Sequence, residues 1–229
     1  MPTILITGAN RGLGLEFARQ FAADGWRVIA TVRNLDTAAE LLQLDGAVEV
    51  HSLDATDRAA IARLAQELKG EPIDVLLCSA GIYGPRSAEQ DFGHVDWTTW
   101  HKVLETNVMG PMALVEALVE NVAASDKRLI VMVSSQMGSM GAGGSGGAYM
   151  YRTSKAALND LAKNLASDLA GRGITVISVS PGWVKTDMGG PGATLSPQES
   201  VRNLRALIAQ AGRRHTGKFF NHDGRELAW

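Results

Sequence analysis

Short apolar runs rich in β-branched residues alternate along this chain with longer stretches of helical period. "TILIT" at 3–7, "RVIATV" at 27–32, "VEVHSL" at 48–53, "IDVLLC" at 73–78, "RLIVMVS" at 128–134 and "ITVISVS" at 174–180 predict strands. Amphipathic patterns over 13–23, 59–68, 97–122, 151–170 and 197–211 predict the helices between them. Strands this uniformly apolar are buried on both faces, so the alternation predicts an α/β fold built on a doubly wound parallel sheet. In such a sheet ligands bind beyond the carboxyl ends of the strands, and the turns that follow the strands are where chemistry is expected.

Composition narrows the function classes. A chain of 229 residues can bury one substantial core and is expected to be one domain. The net charge of -2, with both signs spread along the chain, offers no basic stripe for nucleic acid and no polybasic anchor for a membrane. A small-molecule ligand is expected instead. Cys78 is the single cysteine, so no intrachain disulfide is possible. The N-terminus enters a strand pattern at once, without a targeting segment, and no apolar run approaches the ~20 residues of a membrane span. A cytoplasmic protein is expected.

Two stretches point to chemistry. The first strand ends in "TGANRGLG", which places Gly8, Gly12 and Gly14 at the opening of a helix. Side-chain-free positions let the backbone approach a pyrophosphate, and the helix N-terminus directs N–H groups at the anion. The spacing is G-x-x-x-G-x-G, not the common dinucleotide fingerprint, and the Gly-Lys-Ser/Thr of a nucleoside-triphosphate loop is missing. The second stretch is "YMYRTSKAAL" at 149–158, where Tyr151 precedes Lys155 by four residues. On a helix the two side chains share a face, whereas Tyr149 has the uncharged Thr153 at that position. A lysine cation beside a phenol favours the phenolate and is expected to lower its pKa from about 10. The pair alone is a weak signal.

Together with Asn107 in "TNVMG", the serines of "VMVSSQMGS" and the segment "SPGWVKTDM", these stretches occur in the order and approximate spacing of the classical short-chain dehydrogenases/reductases. The resemblance spans essentially the whole chain. The segments "YRTSKAALN", "SPGWVKTDMGGPGA" and "GKFFNHDGRELAW" resemble the C-factor and sniffer-type carbonyl reductases within that superfamily. The resemblance implies a Rossmann fold over 1–229 with a short substrate lid around 183–200. It also implies reduction of a carbonyl by a nicotinamide cofactor. Tyr151 would be the general acid and base, Lys155 its partner and the holder of the nicotinamide ribose, Asn107 the holder of a relay water, and a serine the orienter of the carbonyl. Alignment favours Ser135, with Ser134 turned toward the sheet or a helix; Ser139 is a rival closer in sequence to Tyr151. The glycine stretch at 141–147 would loop out between them. The cofactor site implied comprises Gly8, Asn10, Arg11, Gly12, Leu13, Gly14, Arg33, Asp54, Ala80, Gly81, Asn107, Tyr151, Lys155, Pro181, Gly182, Val184 and Thr186, with no metal. Cys78-Ser79 stands where the family usually carries Asn-Asn ahead of Ala-Gly.

NADP(H) rather than NAD(H) is expected. No carboxylate follows the second strand until Asp36, while Arg33 and Arg11 can meet a 2′-phosphate with planar guanidinium forks. Asp54 resembles the adenine-contacting acid of the family but equally suits a helix N-cap. Ile82, Tyr83, Met137, Met140, Trp183 and Met188 are candidate walls of a pocket for a neutral carbonyl compound such as a ketone, aldehyde or quinone. A second class stays open, an NADP(H)-binding regulatory or signalling protein with slow reductase activity. The family pairs long helices across two-fold axes, which implies a homodimer or homotetramer.

Overall fold

The computed structural model of the chain describes residues 1–85, 90–144 and 146–229. The glycine stretch 141–147 therefore contains one residue, Ser145, outside the described residues. Among the described residues seven parallel strands form one sheet in the order β3-β2-β1-β4-β5-β6-β7. They are β1 (Thr3–Thr7), β2 (Arg27–Val32), β3 (Val48–Ser52), β4 (Val75–Cys78), β5 (Leu129–Val133), β6 (Thr175–Ser180) and β7 (Lys218–Asn221). The helices are α1 (Gly12–Ala23), α2 (Ala39–Leu42), α3 (Arg58–Glu67), α4 (Trp97–Leu104), α5 (Gly110–Ala123), α6 (Tyr149–Asp168) and α7 (Pro197–Gln210).

The sheet is covered on both sides, as its apolar strands require. Ile4 and Ile6 of β1 pack with Phe17 and Phe21 of α1 and with Leu204 and Ile208 of α7. Leu5, pointing the other way, packs with Ile61 and Leu64 of α3 and Leu114 and Leu118 of α5. Side chains such as Leu118 are fully buried, so truncation to alanine costs about 2–5 kcal/mol. The chain winds from β1 outward through β2 to β3, then returns to place β4 on the other flank of β1. The switch in direction opens a crevice between the carboxyl ends of β1 and β4.

Three features depart from the sequence reading. The helical pattern over 97–122 is interrupted by a π-helical turn, Glu105–Met109, between α4 and α5. Gly110 packs there against the β3–α3 connection, where a Cβ would stand 2.7 Å from the Ala55 carbonyl oxygen. β7 was not anticipated. Asp57, not Asp54, caps α3, its Oδ1 accepting from the backbone N–H groups of Ala59 at 2.8 Å and Ala60 at 3.1 Å. Asp54 instead accepts from the Thr56 N–H at 2.9 Å and the Thr56 hydroxyl at 2.8 Å in a local turn that lowers its pKa. The N-cap alternative for Asp54 therefore fails, because its carboxylate is spent two residues on and short of the helix.

Candidate active site

The crevice is built from backbone brought unusually close. Gly8 and Gly12 adopt positive φ of 68° and 57°, conformations that disfavour a side chain. A Cβ on Gly8 would stand 3.0 Å from the Ala80 Cα across the switch point, and one on Gly14 would collide with the Gly8 carbonyl oxygen. Thr7 stitches the two strand ends together, its hydroxyl accepting from the N–H groups of Ser79 and Ala80, each at 3.0 Å. Thr7 lies outside the predicted site, although its place at the strand end beside the glycine turn was the available signal. Arg11 is the N-cap of α1 and offers no side-chain cap, so the first-turn N–H groups face the crevice. Asn10 donates to the Thr37 hydroxyl at 3.2 Å, and Leu13 packs on the core below.

The second wall comes from α6. Gly146 and Gly147 have positive φ of 75° and 67°, and Ala148 follows at 49°, a run that swings the chain into the helix. Tyr151, Ser154, Lys155, Leu158 and Asn159 then fall on the buried face. Tyr151 is 7% and Lys155 5% exposed. The Lys155 Nζ donates to the Val133 carbonyl at 2.8 Å and lies 5.7 Å from the centre of the Tyr151 ring. Tyr149 is left at the edge of a different groove of about 360 Å³, beside Phe92, Gly93, Val95, Trp97 and Trp100.

Ser135 stands near enough to Tyr151 to lower the pKa of its phenol, and its Oγ accepts from the Met137 N–H at 3.2 Å. Ser134, the preceding residue, turns its hydroxyl to the Lys155 carbonyl at 3.3 Å, as strand alternation requires. Ser139 is engaged elsewhere: its hydroxyl donates to the Ala228 carbonyl at 2.7 Å and accepts from the Ala142 N–H at 3.0 Å. The ring of Tyr83 lies 4.6 Å from that of Tyr151. Of the other candidate walls, Ile82 and Met137 are half-buried, whereas Met140, Trp183 and Met188 are exposed.

Asn107 sits in the π-helical turn and is fully buried. Turns of this kind recur at functional sites. Its Oδ1 accepts from the Ile82 N–H at 2.8 Å, and its Nδ2 donates to the Ile82 carbonyl and the Ser154 hydroxyl, both at 2.9 Å. The amide braces the loop after β4 against α6. Gly81 completes the junction, since a Cβ there would stand 3.2 Å from the Asn107 Oδ1 and 3.5 Å from the Lys155 Nζ. Ser154 and Gln90 are structural members that sequence reasoning missed. Gln90 donates to the carbonyls of Tyr83 at 3.0 Å and Pro85 at 2.6 Å and accepts from the Tyr151 N–H at 3.3 Å.

The electrostatics differ from the expectation that Lys155 acidifies Tyr151. Burial pushes the phenol up to about 12, against the lowering effect of the nearby Ser135. Burial also brings Lys155 down to about 8. Desolvation outweighs pairing because the ammonium is directed at the Val133 carbonyl rather than at the phenolic oxygen. Cys78, at the end of β4, is buried and pushed up to about 12.

The segment after β6 closes the crevice. Gly182 has φ of 79° and fits against Leu195 and His222, where a Cβ would stand 2.5 Å from the leucine Cδ1. Val184 bridges Leu195, the Thr186 N–H donates to the Val184 carbonyl at 2.8 Å, and the Ser200 hydroxyl donates to the Pro181 carbonyl at 2.7 Å. Thr186 packs over the glycine turn, its Cγ2 3.6 Å from where a Gly12 Cβ would stand. Beside it Arg11 forms an ion pair with Asp187 at 2.8 Å, so its guanidinium is not free as the sequence reading took it to be. Arg33 is exposed after β2, close enough to Asp54 to lower that carboxyl.

A family model described as short chain dehydrogenase matches residues 2–194. The chain belongs to the short-chain dehydrogenases. This short-chain dehydrogenase is 39% identical over 158 residues to the C-signal of Myxococcus xanthus, covering 69% of this chain and 93% of that protein. Its fold matches the carbonyl reductase Sniffer of D. melanogaster with a TM-score of 0.93 and 34% identity over 100% of both chains. The NADPH-bound carbonyl reductase from chicken fatty liver matches with a TM-score of 0.91 and 30% identity over 100% of this chain and 99% of that one. As a short-chain dehydrogenase, the protein is an oxidoreductase acting on alcohol and carbonyl groups.

Proposed function

We propose that the protein reduces a small ketone, aldehyde or quinone to an alcohol with NADP(H), Tyr151 giving the proton to the carbonyl oxygen. The observation that carries this reading is the buried cluster in which Ser135 stands near enough to Tyr151 to act on its phenol while Lys155 lies four residues on along the same helix face. The crevice suits a dinucleotide: Gly8 and Gly14 let the turn fold tightly at the ends of β1 and β4, and the uncapped start of α1 offers N–H groups to a pyrophosphate. The residues from Gly8 to Gly14 would hold the pyrophosphate, Asp54, Ala80 and Gly81 the adenine side, and Asn107, Lys155, Pro181, Gly182, Val184 and Thr186 the nicotinamide side. When bound, the nicotinamide supplies the hydride.

The chain's own residues do the rest. Ser135 orients the carbonyl oxygen toward the phenol. Tyr151, protonated at neutral pH because burial holds its pKa at about 12, donates its proton as negative charge develops on that oxygen. Lys155 is cationic below about 8 and steadies the phenolate that remains. Asn107 holds Ile82 and Ser154 with its side chain and so braces the loop after β4 against the helix that carries Tyr151. The ring of Tyr83, 4.6 Å from that of Tyr151, would offer a flat substrate an aromatic face beside the phenol. The NADPH-bound chicken relative supports NADP(H), as do Arg33 and Arg11.

Mixing the protein with NADPH and a panel of aldehydes, ketones and quinones, and following the absorbance of the reduced nicotinamide, tests this reading. Consumption that depends on the carbonyl compound supports it. The likeness to the C-signal favours a second reading, an NADP(H)-binding signalling protein. That reading expects tight NADPH binding without turnover on the panel. For assembly we propose a homodimer through the α4–α6 face, where exposed Trp97 stacks on Trp100 at 5.3 Å. Sedimentation at micromolar protein tests it.

A further inference from the structure

The loop that carries Ser135 does not stand alone. Beyond β7 the chain folds back along that strand, with the Asn221 N–H donating to the Arg225 carbonyl at 2.8 Å and the Leu227 N–H to the Phe219 carbonyl at 2.7 Å. Trp229 then stacks on the fully buried Phe219 at 5.7 Å, and the Lys163 ammonium of α6 lies 5.8 Å over the indole. This anchored strap meets the loop after β5. The Ser139 hydroxyl donates to the Ala228 carbonyl at 2.7 Å and the Gly141 N–H to the Trp229 carbonyl at 2.7 Å. The fit is close, since a Cβ on Gly141 would stand 2.8 Å from the Ala228 Cβ. One residue beyond Ser135, the Gln136 side chain donates to the Asn221 Oδ1 of β7 at 3.0 Å.

We infer that the strap at 227–229 is a positioning element for the reaction: it holds the loop after β5 so that Ser135 stays against Tyr151. The inference rests on the proposed role of Ser135 and extends it to residues that touch neither cofactor nor substrate. Its physical basis is leverage. Among the described residues the chain between Ser135 and Tyr149 runs without a helix longer than the single turn Gln136–Gly138, and Ser139 and Gly141 tie it to the strap. A loss of placement on the order of 1 Å costs up to about a hundredfold in rate.

The test compares four proteins: the full chain, the chain with Ala228 and Trp229 deleted, Ser135→Ala, and the deletion combined with Ser135→Ala. The deletion is expected to lower kcat by about tenfold or more, leave the NADPH dissociation constant within about twofold, and speed amide exchange at Gly141 and Ala142. In the Ser135→Ala background it is expected to cost nothing further in kcat, the mark of an effect transmitted through Ser135. Ser139→Ala removes one tie while keeping the Trp229 stack, and should give a smaller loss that likewise vanishes in that background. A deletion whose cost persists undiminished on Ser135→Ala, or one that leaves kcat and exchange unchanged, overturns the inference. A full chain without carbonyl-dependent turnover instead overturns the reading of the site, while the exchange rates still report whether the strap holds the loop.

Discussion

Gly138 lies against the backbone of Lys155, so that a Cβ at 138 would stand 2.6 Å from the lysine carbonyl carbon and 2.8 Å from its Cβ. The loop bearing Ser135 thus rests directly on the turn of α6 bearing Tyr151 and Lys155, and the Asn159 side chain donates to the Gly138 carbonyl at 3.4 Å. Gly138→Ala is expected to push loop and helix apart. Overpacking of this kind costs about 1–3 kcal/mol, and kcat should fall by about ten- to a hundredfold through misplaced groups. Urea unfolding and steady-state kinetics on the variant check both, and an unaltered kcat would mean that the contact does not set the site.

Lys155 makes stability depend on pH in a definite direction. Its folded pKa of about 8 lies below the ordinary 10.5, so between those values the unfolded chain holds a proton that the folded chain has released. Stability should therefore rise with pH from about 8 upward. Tyr151 acts oppositely and later: raised from 10.0 to about 12, it contributes stability that is present below pH 10 and lost as pH rises toward 12. Lys155→Met should be more stable than wild type at pH 7, on the order of 1–3 kcal/mol, with the difference shrinking by pH 9.5. Turnover should nevertheless be lost. Denaturant unfolding at the two pH values measures the difference, and parallel pH profiles would refute the assignment of a strained buried cation.

The Arg11–Asp187 pair bears on cofactor choice. The double change Arg11→Ala with Arg33→Ala should reduce the preference for NADPH over NADH by about tenfold or more, the scale of one charge-assisted hydrogen bond or two. Asp187→Ala should move the preference the other way, because it releases the Arg11 guanidinium. Raising the salt concentration should erode the wild-type preference, since these contacts are exposed and screened. The ratio of kcat/KM for the two cofactors is the readout, and a ratio indifferent to all three changes would reduce both arginines to surface charge.

What was legible in the sequence is what local pattern records. Apolar runs gave the first six strands to within two residues at each end, and the glycine turn was evident because three glycines at the start of a helix have few other uses. Tyr151 and Lys155 were readable through helical spacing. The unread features depend on partners distant in sequence. Phe219 and Phe220 lie in a strand of four residues whose partner, β6, is some forty residues earlier, and the run is too short to show a period. Within 97–122 a single residue of slack at Asn107 leaves the amphipathic pattern nearly intact, so the π-helical turn was invisible. Asp54 and Asp57 both precede α3 at capping distance, and only the turn made by Thr56 decides between them. The partner that engages the Ser139 hydroxyl, Ala228, lies 89 residues away, beyond the reach of any local pattern.

The central claim is that Tyr151, and not its neighbour, delivers the proton. It is tested most directly by single-turnover mixing of the NADPH-loaded protein with a carbonyl compound that the wild type reduces. The rate of nicotinamide oxidation is compared in wild type, Tyr151→Phe and Tyr149→Phe. The expected result is a fall of about 10²–10⁴ for Tyr151→Phe with NADPH still bound, and a wild-type rate for Tyr149→Phe. A wild-type rate in Tyr151→Phe would contradict the account.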